Sequence, residues 1–506
     1  MRAEGSFLHR TFSGPFSGLL LGPGFWLAVA VVAGTAIRLP QMVHPATGPY
    51  AFRLAQTVFG VREYARDGVD LSRLPLPVFG VADNVPFEFP LFQGLARELM
   101  RLGPDATTAT RLAGLISFQV AVLLWGALLY RWVGAWAAVG TAVLMEFLPF
   151  GLLWGGSPLI DFFSVALGLA MVLALDRWLR GGSWLFLALG SLAASTVFLV
   201  KVTTVPVAGL LLVVSVALVV ADRGWRTSWR RIVAALALGP GLALVPFAIW
   251  TRYADGVKAD SPATTFLTSN ALLEWNFGTW SQRTDPEIWQ VLAQRVSHEI
   301  AGVGLVALAA ALVAGLVFGD LRHRVVLVGL VLGTLAPVLI FLNLYAVHSY
   351  YLIAVFPLLC AIPAVGLAAL GARFGRPVAV PATVVGAALI ATTAWLPLGN
   401  ADVSAMRSPG PVPALSTQLA RVTPTGAGIV LVGCDWDPTY LYEADRTGLM
   451  FRDQTPAEAW AENDIEDYGF IARCDPSVDP APFMPAGYGV ERSDEANVFR
   501  IVASKS

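Results

Sequence analysis

The stretch AVAVVAGTAI, residues 28–37, decides the fold class, because it carries no charge before it reaches Arg38, Leu39 and Pro40. Similar apolar runs recur along most of the 506-residue chain, which is 56% hydrophobic and only 14% charged. A soluble domain has roughly 25% charged residues. Because a helix rises ~1.5 Å per residue, roughly 20 apolar residues cross a bilayer core of ~30 Å. The composition therefore predicts a polytopic membrane protein, built as an all-α bundle.

The apolar runs predict about eleven transmembrane helices. They fall at approximately residues 24–42, 109–130, 133–154, 158–178, 184–200, 203–220, 232–251, 301–319, 324–342, 349–369 and 377–397. The breaks at 131–132 and 201–202 are very short, so the count could differ by one or two. RLPQMVHP (38–45) follows the first run in place of a small-residue cleavage site, which predicts a retained helix.

Basic residues are concentrated in every second connection between the predicted helices. These connections are residues 1–10, Arg131, 176–182, 222–231, 319–324 and 371–376. Because Lys and Arg accumulate in short cytoplasmic loops, this pattern predicts a cytoplasmic N-terminus. An odd number of spans then places the C-terminus outside the cytoplasm, together with two long loops at about 43–108 and 252–300.

The polar tail, residues 400–506, predicts a small extracytoplasmic domain that follows a membrane domain at residues 1–399. Its predicted elements are a helix at 413–422 and strands at 428–433, 468–474 and 497–503. A helix between strands indicates an α/β or α+β domain. Cys434 and Cys474 lie in this tail, and the sequence leaves open whether they form a disulfide.

The first long loop carries an isolated carboxylate. Helical stretches near 50–67 and 91–103 are predicted to lie at the membrane surface, with an apolar face buried. Between them, VPFEFPLFQ (85–93) holds Glu88 among apolar residues and two prolines. Such a loop beside a helical bundle predicts a roofed cavity into which Glu88 points. The alternative is that Glu88 fixes the loop through an ion pair or a backbone N–H.

The second long loop is rich in tryptophan. Trp275, Trp280 and Trp289 lie close together, with Asn276 and Gln282 among them. Aromatic faces with neighbouring amides suit sugar rings, whose C–H faces are apolar and whose edges form hydrogen bonds. An aromatic belt at the membrane interface explains the same residues and is the alternative.

Several stretches resemble the GT-C class of membrane glycosyltransferases, and more narrowly its protein-mannosyltransferase and aminoarabinose-transferase group (family 39-like). The resembling stretches are AFRLAQT (51–57), VPFEFPLFQ (85–93), TTATRLAGLISF (107–118), LVKVTT (199–204), HSYYLIAVFP (348–357) and WDPTYLYEADRTG (436–448). The order of these stretches and their positions relative to the membrane carry the resemblance.

The resemblance implies transfer of one sugar from a polyprenyl-phosphate sugar donor to an acceptor outside the cytoplasm, which could be a glycan, a lipid or a protein. Such a reaction needs a base for the acceptor hydroxyl and positive charge for the leaving phosphate. No nucleic acid is expected as a partner. Within the resemblance, the candidate base is Glu88, with Asp83 as the second choice.

The remaining candidates follow from the same resemblance. The donor phosphate is assigned to Lys201, Arg53, His348, Tyr350, Tyr351 and Arg252, and the sugar or acceptor to Gln56, Trp275 and Trp280. A boundary lysine also snorkels without binding anything, and interfacial tyrosines also serve as anchors. Asp161 is expected to hold Lys201, to ligate a divalent ion or to cap its helix. Glu146, deep in the third span, is left without a role.

The sequence departs from the group in one respect. Members usually carry an acidic residue just after the first helix, whereas no Asp or Glu occurs here between Gly5 and Arg62, and Gln56 cannot act as a base. Either the base has moved, or the acceptor needs less activation, or the protein is a non-catalytic lipid- or glycan-binding membrane scaffold. No cluster of residues has metal-ligand spacing, although a divalent cation stays possible.

Overall fold

The computed structural model describes residues 22–301, 304–395, 410–452 and 454–504. Within these ranges the chain is mainly α-helical, with one small sheet near its C-terminal end. Two predictions lie outside the described residues. They are the basic cytoplasmic segment at residues 1–10 and the domain boundary between residues 399 and 400.

Seven helices in the described ranges are long and apolar enough to cross a membrane. They are Pro23–Val43, Ala106–Trp132, Asp161–Gly181, Val202–Arg223, Trp225–Ala259, Leu321–Ile340 and Phe356–Phe374. An eighth candidate is the pair Pro286–Ile300 and Leu305–Phe318, bent by 94°. Shorter apolar helices lie at Ala135–Phe147, Trp184–Val200 and Thr383–Trp395. Each predicted span overlaps one of these helices, although the span at 133–154 is broken at Leu148 and the span at 349–369 becomes an α-helix only at Phe356. The chain is therefore a multi-pass membrane protein, while eleven crossings stay a prediction.

A buried ion pair joins the first span to the third. Arg38 lies 2.6 Å from the carboxylate of Glu146, and both side chains are fully buried. Arg38 also donates to the carbonyls of Glu146 and Gly151, at 3.0 and 2.9 Å, where helix Ala135–Phe147 gives way to helix Pro149–Trp154. Glu146, which the sequence left without a role, therefore binds the arginine that donates to backbone carbonyls at the break between these two helices.

The long loops fold into short helices on one side of the bundle. Their bounds are Ala51–Asp67, Leu91–Met100, Leu273–Phe277, Trp280–Thr284, Pro286–Arg295 and Leu342–Val347, with a 3-10 turn at Ser349–Ala354. The two predicted surface helices of the first loop are therefore present. In the second of them, Phe92 and Ala96 pack on the protein, while Leu95, and Leu102 just after the helix, are exposed. This exposed apolar stripe fits a helix that lies against lipid.

The tail forms a five-stranded mixed sheet. Its strands are β1 (Gly428–Val432), β2 (Thr447–Met450), β3 (Tyr468–Arg473), β4 (Tyr488–Arg492) and β5 (Val498–Ala503). Their order is β2-β1-β3-β5-β4, with the first three strands parallel and the last two antiparallel to their neighbours. Helices lie at Ala414–Val422, Thr439–Ala444 and Pro456–Glu462. The predicted helix and strands are confirmed, and Cys434 is bonded to Cys474.

The sheet continues into the first long loop. Phe79 forms an antiparallel bridge with Leu449 on β2. The N–H of Gly80 donates to the carbonyl of Gly448 at 2.9 Å, and the N–H of Met450 donates to Val78 at 2.8 Å. The loop that carries Glu88 is therefore joined to the tail by backbone hydrogen bonds, which the sequence pattern did not indicate.

Candidate functional site

Arg53 and Glu88 form the first half of the site. Arg53 lies in the first turn of surface helix Ala51–Asp67. Glu88 lies in the proline-flanked loop before helix Leu91–Met100. Nη2 of Arg53 lies 3.0 and 3.2 Å from the two carboxylate oxygens. Gln93 donates to the same carboxylate at 3.0 Å, and Gln56 accepts from Arg53 at 2.8 Å.

The position of Glu88 is fixed by its neighbours. The N–H of Phe89 donates to the carbonyl of Leu199, which ties the loop to the end of helix Trp184–Val200. Glu88 is only 8% exposed. The ion pair expected as the structural alternative is therefore present. Oε1 of Glu88 accepts from both Arg53 and Gln93, whereas Oε2 accepts only from Arg53 among the described residues, so the carboxylate keeps an acceptor position for the hydroxyl of a substrate.

Lys201 and Asp161 form the second half of the site. Asp161 is the first residue of helix Asp161–Gly181, and Lys201 directly follows helix Trp184–Val200. The Lys201 ammonium lies 2.6 Å from Oδ1 of Asp161, and the two side chains are 10% and 3% exposed. Of the three roles expected for Asp161, the structure has it holding Lys201, since the helix carries no side-chain cap.

An aromatic wall lies beside these charges. Nζ of Lys201 is 4.6 Å from the ring centre of Tyr351 and 5.5 Å from that of Tyr350. The ring of Tyr350 lies 5.2 Å from His348 and 5.1 Å from Tyr50. The predicted phosphate ligands of HSYYLIAVFP and LVKVTT are therefore brought together, although they are far apart in sequence.

Tyr50 is a site residue that the sequence analysis missed. It precedes helix Ala51–Asp67 with a left-handed φ of 58°, which is uncommon for a residue with a side chain. Its hydroxyl accepts a hydrogen bond from the backbone N–H of Ser349 at 2.9 Å. The available signal was the turn sequence TGPY directly before AFRLAQT, which does not reveal the partner.

The charges of three cations act on His348. Burial lowers the pKa of His348 to about 4, and the charges of Arg295, Arg53 and Lys201 act in the same direction. His348 is therefore neutral at pH 7. Burial alone would lower the pKa of Arg53, but the nearby charge of Glu88 and the other acidic groups raise it above its usual value. Arg295, which donates to the Val347 carbonyl at 3.1 Å, was also missed from sequence.

Buried polar atoms point to a polar ligand here. Oδ2 of Asp161, the hydroxyl of Tyr345 and Nδ1 of His348 find no hydrogen-bond partner among the described residues. The ring of Tyr345 lies 6.0 Å from that of Tyr351, so all three atoms border the same cluster. Leaving such atoms unpaired costs about 1–3 kcal/mol each, which a bound polar group would recover.

Other predicted residues lie further out. Asp83 is 40% exposed and forms an ion pair with Arg73 at 3.0 Å. Arg252 is exposed on helix Leu242–Ala259, and Trp280 is 79% exposed. The structure does not place these three residues in the buried cluster.

Trp275 is intermediate between the cluster and the surface. Its ring lies 5.9 Å from His348, and its carbonyl accepts from Asn343 at 2.8 Å. Of the residues predicted for the sugar or acceptor, Gln56 and Trp275 therefore border the cluster. Within the described ranges, no group of three or more His, Cys, Asp or Glu side chains is arranged to hold a metal ion.

A helical bundle with folded loops on one side and a small sheet domain joined to them is the arrangement that the GT-C resemblance predicts, and solved structures of this fold match it. The structure is similar to that of ArnT from Cupriavidus metallidurans bound to undecaprenyl phosphate. The TM-score is 0.63 at 15% identity, over 96% of this chain and 98% of that chain, and the apo structure of ArnT gives the same values.

A second similar structure is the archaeal oligosaccharyltransferase AglB from Archaeoglobus fulgidus, in complex with an inhibitory peptide and a dolichol-phosphate. Its TM-score is 0.53 at 12% identity, over 89% of this chain and 69% of that chain. No protein-family model and no curated protein sequence matches the chain. At these identities the likeness establishes the fold.

Proposed function

We propose that this protein is an integral-membrane glycosyltransferase that moves one sugar from a polyprenyl-phosphate sugar to an acceptor outside the cytoplasm. One observation carries the proposal. Two buried cations, Arg53 and Lys201, share a cluster with buried polar atoms that have no hydrogen-bond partner among the described residues. The GT-C fold supports it, because ArnT binds undecaprenyl phosphate and AglB binds a dolichol-phosphate.

The proposed reaction uses the cations of both halves of the cluster for the donor phosphate and a carboxylate for the acceptor proton. The bond between the anomeric carbon and the phosphate oxygen breaks, and its electron pair leaves with the polyprenyl phosphate. Arg53 and Lys201 stabilise that leaving phosphate, while Tyr350 and Tyr351 donate hydrogen bonds to it. A new bond forms from the acceptor oxygen to the anomeric carbon, and the acceptor proton passes to a carboxylate.

Glu88 is the proposed base, since it is the carboxylate beside Arg53. The acceptor hydroxyl would donate to Oε2 of Glu88, which accepts only from Arg53 among the described residues. Asp83 is second because it is half-exposed and paired with Arg73. Gln56 and Trp275 would contact the sugar from the cluster edge, whereas Arg252 and Trp280 would contact the lipid or the acceptor at the surface.

The orientation belongs to the same proposal. The N-terminus is cytoplasmic, the membrane domain spans residues 1–399, and the tail at residues 400–506 lies outside the cytoplasm with the site. A site on this side needs no nucleotide-linked donor, because the polyprenyl phosphate is itself the leaving group.

A second candidate is a non-catalytic membrane scaffold that binds a polyprenyl phosphate or a glycan. The contacts of Glu88 favour it, since Arg53 and Gln93 both donate to the carboxylate. In this alternative Glu88 only holds Arg53 in place, and the chain binds its lipid without transferring a sugar.

The deciding experiment uses purified protein in nanodiscs with a panel of radiolabelled polyprenyl-phosphate sugars. Binding and sugar release are followed for wild type and for Glu88→Gln. Binding with release in wild type supports the enzyme. Binding without release from any sugar of the panel, with acceptor glycans, lipids and peptides supplied, supports the scaffold. Absence of binding in wild type overturns the glycosyltransferase and the lipid-binding scaffold, and leaves only a scaffold that binds glycans.

A further inference from the structure

Trp436 of the tail packs among aromatic rings from the two long loops of the membrane domain. Its ring centre lies 4.5 Å from that of Phe52 and 5.7 Å from that of Phe87. The rings of Phe79 and Phe266 complete the cluster, each at 5.8 Å. Phe52 directly precedes Arg53, and Phe87 directly precedes Glu88. One tail side chain therefore contacts the neighbours of both members of the ion pair.

We propose that Trp436 is a positioning residue, through which the tail fixes the position of Arg53 relative to Glu88. The functional part of this inference rests on the proposed glycosyltransferase activity, whereas the structural part does not. Phe52 lies on a helix and Phe87 on a loop, and in the described part of the chain the two share no helix and no pair of strands. The indole of Trp436 fills the space between them and fixes their separation.

Further contacts near Trp436 join the tail to the membrane domain. Arg62 and Arg66, on the same helix as Arg53, lie 2.9 and 2.7 Å from Oδ1 of Asp445. The hydroxyls of Thr107 and Tyr442 lie 2.6 Å apart. All these contacts involve the segment from Trp436 to Gly448, whose start is fixed by the disulfide at Cys434. The segment from Trp436 to Gly448 is thus a contact surface between the tail and the helix and loop of the site.

The ring geometry is favourable for such a role. Aromatic pairs attract at centroid separations of about 4.5–7 Å, and all four pairs of Trp436 fall in this range. Displacing a reacting group by roughly 1 Å can reduce a rate about 100-fold. Loss of the indole would leave Phe52 and Phe87 free to reorient, and the Arg53–Glu88 contact would loosen with them.

Hydrogen exchange of the full-length protein in nanodiscs tests the structural part. The N–H groups of Val85, Phe87, Phe89 and Leu91 are all hydrogen-bonded, so their exchange reports on the Glu88 loop. Trp436→Ala is expected to speed this exchange by about tenfold. Trp460→Ala is the matched control, because Trp460 is a half-buried tail tryptophan whose indole donates to Phe483 within the tail.

Two further variants keep the test decisive. Phe52→Leu removes the partner ring from the membrane side and is expected to speed the same exchange even if Trp436→Ala disturbs the tail itself. Trp436→Phe is expected to restore most of the protection. Unchanged exchange at residues 85–91 in both Trp436→Ala and Phe52→Leu would overturn the proposal, as would equal loosening by Trp460→Ala.

Binding of undecaprenyl phosphate tests the functional part. Trp436→Ala is expected to weaken binding about tenfold, and to add little in a chain that already carries Arg53→Lys, because both act on the same contact. A full additive effect in the double variant would overturn positioning through Arg53. If wild type binds no polyprenyl phosphate while the exchange results hold, the proposed function fails and the structural role of Trp436 stands.

Discussion

The ammonium of Lys201 lies 2.6 Å from the carboxylate of Asp161. Asp161 begins one helix, and Lys201 directly follows the end of the next helix along the chain. This pair opposes the effect of burial, which lowers the pKa of Lys201, since each side chain is no more than 10% exposed. It also means that an incoming phosphate meets a cation whose position is already set. Three predictions test the cluster around this pair, and a fourth tests the buried pair of Arg38 and Glu146.

Lys201→Met is expected to weaken binding of undecaprenyl phosphate about 10- to 100-fold, because a charge-assisted hydrogen bond contributes roughly 1.5–3 kcal/mol. Since the change also strands Asp161, the double variant Lys201→Met with Asp161→Asn should regain thermal stability but not binding. Lys258→Met is the matched control, because Lys258 is a buried lysine that pairs with Asp255 away from the cluster. Equal loss of binding in the control would contradict the assignment.

Glu88→Gln is expected to keep donor binding and to lower sugar transfer by roughly 100- to 10,000-fold, the usual contribution of a general base. Radiolabelled transfer to acceptor, measured beside donor binding, separates the two effects. Asp83→Asn is the comparison, since Asp83 is a loop carboxylate paired with Arg73 at the surface. Transfer that survives Glu88→Gln and disappears with Asp83→Asn would move the base to Asp83.

His348→Gln is expected to reduce the loss of stability at acid pH. The pKa of His348 is lowered from 6.5 to about 4 by burial and three cations, so the unfolded chain takes up its proton first. Native stability from this group is complete above pH 6.5 and declines as the pH falls toward 4. Melting temperatures in detergent should therefore fall less for His348→Gln than for wild type over that interval. Parallel curves for the two proteins would argue against the prediction.

Glu146→Leu is expected to destabilise the protein by about 3–5 kcal/mol, because it leaves the guanidinium of Arg38 buried without its counter-charge. The double variant Arg38→Met with Glu146→Leu should recover much of that loss, since a buried ion pair is often replaceable by apolar residues. Unfolding followed in detergent gives both values. A double variant no more stable than Glu146→Leu would show that the hydrogen bonds of Arg38 to Gly34 and Gly151 matter more than the charge pair.

The helices and strands were largely predictable because their signals are local. Runs of apolar residues locate the spans, and GIVLVG and NVFRIVA locate strands β1 and β5. The bridge between Phe79 and Leu449 was not predictable. It is a single pair of residues brought together by tertiary packing, and the loop has no strand pattern in its sequence. The sequence likewise identified the individual surface helices of the first loop without indicating that the tail docks on them.

Site residues were predictable one at a time, but their partners were not. Lys201 stands out as a charge at the end of a span, and Glu88 as a carboxylate in an apolar loop. Their partners depend on which chain segments meet in space. Arg295 and Tyr50 have ordinary surroundings in the sequence, and only the fold brings them to His348.

The bridge at Phe79 also bears on solubility. β2 is the edge strand of the tail sheet, and unpaired strand edges are templates for pairing with another chain. Residues 77–80 occupy that edge through hydrogen bonds to Gly448 and Met450. The loop therefore covers the edge of β2 and prevents another molecule from pairing with it. A tail produced without the membrane domain would expose this edge to other copies of itself.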